Sequence, residues 1–123
     1  MNRIYSFLLT ALVCLFTACG SAKTKVDTAP VDQAFASAPA EIKTEIGTIV
    51  SAVSSMDYKS ALQPLDKVIS SRKMDDTQKQ ALSALISDMQ RVVAENQSDF
   101  TMEVYTGLSQ LVGKLHEYGV IRP

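Results

Sequence analysis

Four stretches of the chain repeat their apolar positions at steps of three and four, the spacing that gathers side chains on one face of a helix. Ile42, Ile46, Ile49, Val50 and Val53 form the first face, and Tyr58, Ala61, Leu62, Leu65, Val68 and Ile69 the second. Leu82, Leu85, Ile86, Met89, Val92 and Val93 form the third. Val104, Tyr105, Leu108, Leu111, Val112, Leu115 and Tyr118 form the fourth. Polar residues punctuate these runs. Ser37 is placed to cap the first helix with Pro39 in its opening turn, and Asp57 to cap the second. Asp75 followed three residues later by Gln78 has capping-box spacing before the third. Residues 96–99 break the third period, and Gly119 closes the fourth helix, with Lys114 and His116 in the last turn where the dipole favours cations. The pattern predicts an all-α domain over 37–123, four helices arranged as two packed antiparallel hairpins. A repeat-like stack ranks ahead of an up-and-down bundle.

The second helix, 57–71, is the expected hub, because the helices on either side are patterned to pack on it. Pro64 sits inside it and cannot donate to the carbonyl four residues back, so a bend is expected there. The alternative is a break at Gln63 followed by a restart. Gly107 and Gly113 weaken the last helix, which must then depend on packing.

The segment before the helices has a different pattern. Arg3 precedes an apolar run over 4–16, interrupted by Ser6 and Thr10, and the run is short for a permanent membrane span. It reads as an export signal over 1–18. An uncleaved anchor is the alternative. Ser21 and the residues up to Val31 are polar without a period, so 19–36 reads as a tether. Its end admits a second reading, in which Val31, Ala34 and Phe35 form one helical turn that folds back and buries Phe35.

The run closes on Leu15-Phe16-Thr17-Ala18-Cys19-Gly20-Ser21. This resembles the lipobox of bacterial lipoproteins. The resemblance implies cleavage before Cys19, a diacylglyceryl group on its thiol and usually acylation of the new N-terminus. Val13 is too large for the small site that would make Cys14 the target. Gly20 in place of Asp resembles lipoproteins sent to the outer membrane of two-membrane bacteria. The implied address is the cell envelope, facing the periplasm.

Composition narrows the rest. A chain of 123 residues has room for one domain. Its net charge of −1 is spread in both signs, so no basic stripe points to nucleic acid. Both cysteines, Cys14 and Cys19, precede the helical part, which leaves no disulfide framework there.

Met56-Asp57-Tyr58-Lys59-Ser60-Ala61-Leu62, continuing to Leu65 and Val68, resembles the turn and second helix of a tetratricopeptide hairpin. Ala52 matches a small position in the helix before it. Met56 stands where that family has a glycine, and no second copy follows. The resemblance implies a protein-interaction scaffold without chemistry of its own.

Candidate chemistry is sparse. His116 is the only histidine, so no zinc set or Cys–His pair can be assembled with a lipidated Cys19. Glu117 beside it lies about 100° round the helix and does not face it. Asp75 and Asp76 read as helix-start residues rather than cation ligands. Met56, Met74, Met89 and Met102 read as gap fillers. No Gly-rich phosphate loop is present, and neither a catalytic set, a cofactor nor a metal is implied. The expected function is a lipid-anchored, non-catalytic scaffold for a protein partner or for self-association. The alternative is a small-molecule or lipid carrier with a pocket between the hairpins.

Overall fold

A computed structural model describes residues 25–117. The predicted signal segment and Cys19 lie outside the described residues, as does Tyr118. Every regular element among the described residues is helical: α1 (Ala29–Ala34), α2 (Ala40–Ser54), α3 (Tyr58–Ser70), α4 (Asp76–Glu95) and α5 (Met102–Glu117). A single 3-10 turn, Gln97–Asp99, joins the last two. The chain is all-α, as its periodicity predicts.

The helix ends follow from local chemistry. The Asp57 carboxylate accepts from the Ser60 backbone N–H at 3.3 Å and from the Ser60 hydroxyl at 2.6 Å, which caps α3. The capping box at α4 is complete: Gln78 N–H donates to Asp75 Oδ1 at 2.8 Å, and Asp75 N–H to Gln78 Oε1 at 3.0 Å. Ser37 does not cap α2. Pro39 takes the N-cap position with φ −55° and ψ 152°, and its carbonyl accepts from Lys43 N–H at 2.9 Å. The α2–α3 turn is a Schellman motif. Asp57 N–H reaches back to Ala52 O at 2.9 Å and Met56 N–H to Val53 O at 3.0 Å. Met56 there has φ +62°, a left-handed conformation that glycine adopts at little cost.

α3 runs unbroken through Pro64, which is buried in its middle. The restart at Gln63 is not used, because the apolar face of α3 stays in phase on both sides of the proline. Tyr58, Ala61, Leu65, Val68 and Ile69 are each 1% exposed or less.

The helices close a ring. α2 packs on α3, α3 on α5, α5 on α4, and α1 bridges α4 and α2. α2 and α3 are antiparallel, with Glu45 meeting Lys67 at 3.5 Å. α3 and α5 run parallel: Lys59 meets Glu103 at 3.2 Å near their starts, and Asp66 meets Lys114 further along both. The two expected hairpins are thus laid side by side, with their second helices in contact. One apolar cluster fills the centre. Tyr58 stacks on Phe100, ring centroids 4.9 Å apart, and so ties the α2–α3 turn to the α4–α5 turn.

Two expectations need correction. The helical domain begins before residue 37, since Val26, Val31 and Phe35 are 8%, 1% and 1% exposed. The stretch 31–36 takes the helical-turn reading instead of the tether reading. Pro30 sits in the first turn of α1, where its fixed φ suits a helix. The side chains of Val31 and Phe35, one turn apart, fill the gap between α2 and α4. Gln78 Nε2 donates to Ala34 O at 3.1 Å and pins α1 to α4. The second correction is Tyr105, which is 54% exposed rather than part of the buried face. Val104, Leu108, Leu111 and Leu115 alone make the buried stripe of α5, and Tyr105 stands about 100° from Val104.

Candidate functional site

The contact between α3 and α5 leaves an open groove of about 600 Å³. On α3, Lys59, Leu62, Gln63 and Asp66 fall at helical spacing along this side. On α5 it is lined by Met102, Thr106, Gly107, Gln110 and Leu111, among others. Gly107 sets the approach of the two helices. A Cβ at that position would lie 2.7 Å from Leu62 Cδ1, closer than two carbons can come without one moving. The groove floor is therefore apolar and shallow, made by Leu62, Gly107 and Leu111. Lys59–Glu103 and Asp66–Lys114 bracket its two ends. The first pair is solvent-exposed, where such a pair contributes up to about 1 kcal/mol, and the second is part-buried. They hold the helices in register more than they hold them together.

Two large apolar side chains are exposed among the described residues, and one of them, Met102, lines the groove, while Tyr105 does not. Met102 is 75% exposed and Tyr105 is 54% exposed. Met102 was expected to be a gap filler, and it is not. Met89 does fill the core, fully buried, while Met56 and Met74 pack at its edge. Met102 opens α5, and a residue in the first turn of a helix has fewer neighbours to cover it. The periodicity puts Leu62 on the buried face, and Gly107 by itself reads only as a weak helix former. The usable signal was their combination: a glycine on the apolar side of a helix that has to pack closely against another.

The other singled-out residues stay separate. His116 is exposed, with Nδ1 3.1 Å from Val112 O in the last turn of α5. Asp75 and Asp76 stand at the start of α4, where Asp75 is engaged in the capping box. Among the described residues, no three His, Cys, Asp or Glu side chains converge as a metal set. Ser55 and Ser71 hydroxyls donate to the carbonyls of Ser51 and Val68 at 2.9 and 2.6 Å, as expected of serines at helix ends.

Among the described residues, two groups have shifted acidities, and both belong to the α3 start. The Ser60 hydroxyl and then the Ser60 backbone N–H hold the Asp57 carboxyl below its usual range. Burial, and secondarily the Asp88 charge, push the Tyr58 phenol up. Both shifts follow from the cap and the core. Neither group lines the α3–α5 groove.

Comparison with protein-family models, with curated proteins and with solved structures returns no match.

Proposed function

We propose that the chain is a bacterial envelope lipoprotein, held on the membrane by lipid on Cys19, whose helical domain is a non-catalytic scaffold. The outer membrane is the proposed site, with the domain facing the periplasm. Its partner is another protein, which inserts apolar side chains into the α3–α5 groove. The observation that carries this reading is the groove itself: half-buried Leu62 and Gly107 form an apolar floor over buried Leu111, and exposed Met102 lines its edge. Exposed apolar clusters rimmed by polar residues such as Gln63 and Gln110 mark contact surfaces. The likeness of 56–68 to a tetratricopeptide hairpin supports the scaffold reading. The apolar run over 4–16 followed by Thr17-Ala18-Cys19-Gly20 supports the anchor.

The anchor is tested by Cys19→Ser, which is expected to leave the precursor uncut or to move the protein out of the membrane fraction. An unmodified Cys19 thiol in the exported wild type, seen by mass spectrometry, would end this part of the reading. The scaffold is tested by a photo-cross-linking residue at Thr106, in the native host. It should yield one discrete protein adduct that Met102→Glu abolishes and His116→Gln leaves intact. An adduct of twice the monomer mass identifies self-association. An adduct with lipid instead of protein supports the carrier. Loss of function in His116→Gln with the adduct preserved would point to an enzyme.

A further inference from the structure

We propose that the domain rides on the membrane with its α1 side toward the bilayer and its α3–α5 groove turned away from it. The inference rests on the lipid anchor at Cys19 and deepens it. Its basis is where the chain becomes part of the fold. Val26 is 8% exposed and belongs to the core, and the chain from there through Val31 and Phe35 is packed down. The polypeptide is thus fixed to the domain from Val26 onward, ten residues earlier than a tether ending at residue 36 would allow. Seven peptide steps separate Cys19 from Val26. Fully extended they span about 24 Å.

The ring decides what that length permits. α1 touches α4 and α2, while α3 and α5 meet each other on the far side. A fold of about ninety residues is roughly 30 Å across. If the groove lay against the bilayer, Val26 would sit on the distal side of the domain. The tether would then have to pass round the domain, a path of roughly 40 Å for a body of that width. About 24 Å of chain cannot cover it. A tether running to residue 36 would span about 58 Å and would let the domain turn over freely. The folding of residues 26–35 onto α2 and α4 therefore does two things. It completes the core, and it shortens the leash enough to fix which side faces lipid. The groove is left open to a protein in the aqueous space and closed to lipid headgroups.

The test uses the full-length lipidated protein in phosphatidylcholine vesicles that carry a nitroxide-labelled headgroup lipid. With Cys19 occupied by lipid, an introduced cysteine is the single reactive thiol of the mature chain. Gln33→Cys on α1 and Thr106→Cys beside the groove are exposed sites for a fluorescent label. The Gln33 label is expected to be quenched several-fold more strongly than the Thr106 label. Inserting about twenty Gly/Ser residues after Ser21 should bring the two labels close to equal quenching, since a leash of that length on average spans the domain. Equal or stronger quenching at Thr106 in the unextended protein overturns the orientation. An asymmetry that persists unchanged with the long linker also overturns it, because the tether would not be its cause. Vesicle flotation separates the two levels. Protein that floats with the vesicles but shows the reverse quenching refutes only the orientation. Wild-type protein that does not float refutes the anchor, and the orientation with it.

Discussion

α3 is packed on both sides, and the two sides are built differently. Toward α2 it meets the next helix back in the chain, across a turn whose hydrogen bonds leave no slack. The long apolar stripes of the two helices lie on each other, and Ile46, Ile49, Val53 and Val68 are 3% exposed or less. Toward α5 it meets a helix more than thirty residues away, parallel instead of antiparallel. That contact turns on one small residue, Gly107, set against one leucine, Leu62, with ion pairs at the ends. The first seam is closed by consecutive pattern. The second is spaced by what the rest of the ring leaves over, and so it keeps an apolar floor in contact with water. The open groove arises here where helices distant in sequence meet.

The sharpest way to break the comparison is to truncate the same residue type on the two sides of α3. Leu65 is fully buried, and Leu65→Ala should cost about 2–5 kcal/mol, the range for large core side chains. Tyr58→Ala, which also removes the stack on Phe100, should fall in the same range. Leu62 is only half-buried. Leu62→Ala should cost about 1 kcal/mol, because it loses only part of the transfer energy of a leucine. Denaturant midpoints decide it. Equal losses for Leu62 and Leu65 would mean that the α3–α5 seam is core and not surface.

Glycine substitutions sharpen the same contrast at smaller magnitude. Gly47 and Gly113 have open space where a Cβ would go, so either Gly→Ala change should stabilise by about 0.5–1 kcal/mol. Gly107→Ala gains the same helix preference but pushes on the end of the Leu62 side chain. Leu62 can swing outward into the groove at a cost that offsets this gain, so Gly107→Ala should be less stabilised than Gly47→Ala, with a net change near zero. Leu62→Ala in the same chain should restore the gain seen at Gly47. The cycle of single and double variants measures this coupling directly. A Gly107→Ala variant as stabilised as Gly47→Ala would show that the helices do not approach closely there.

The smallest effect lies at the α2–α3 turn and is read by pH. The folded Asp57 carboxyl titrates below its unfolded value, which is about 3.9 for a free aspartate. Its contribution to stability is therefore fully present above that value. It is lost as pH falls through the lower folded value, since the unfolded chain takes up the proton first. Asp57→Asn keeps an oxygen for the Ser60 N–H but cannot titrate. Thermal melts between about pH 5 and pH 2 should show a shallower decline for this variant than for wild type. Parallel declines would mean that the cap does not titrate.

How much was legible in advance depends on whether a residue's fate is local. Helix existence and most of the buried stripe were readable, because periodicity and capping act within one or two turns. Asp57, Asp75 and Gln78 took their expected roles for that reason. Tyr105 and Met102 were misplaced, since a residue flanking a stripe goes inward or outward according to the width of the neighbouring helix. That width is not written in α5.

The sequence alone determined that the domain is all-α, where its long helices run, and that the α2–α3 turn is tight. Hydrogen bonds within a helix and side chains on one of its faces involve residues only three or four apart. Only the tertiary structure decided that α3 lies parallel to α5 and that residues 26–35 close the ring between α4 and α2. It alone decided that Gly107 and Leu62 leave an open groove. Those outcomes depend on which apolar faces meet across tens of residues. The answer is set by the volume each helix leaves unfilled, a property of the assembled helices and of no single stretch.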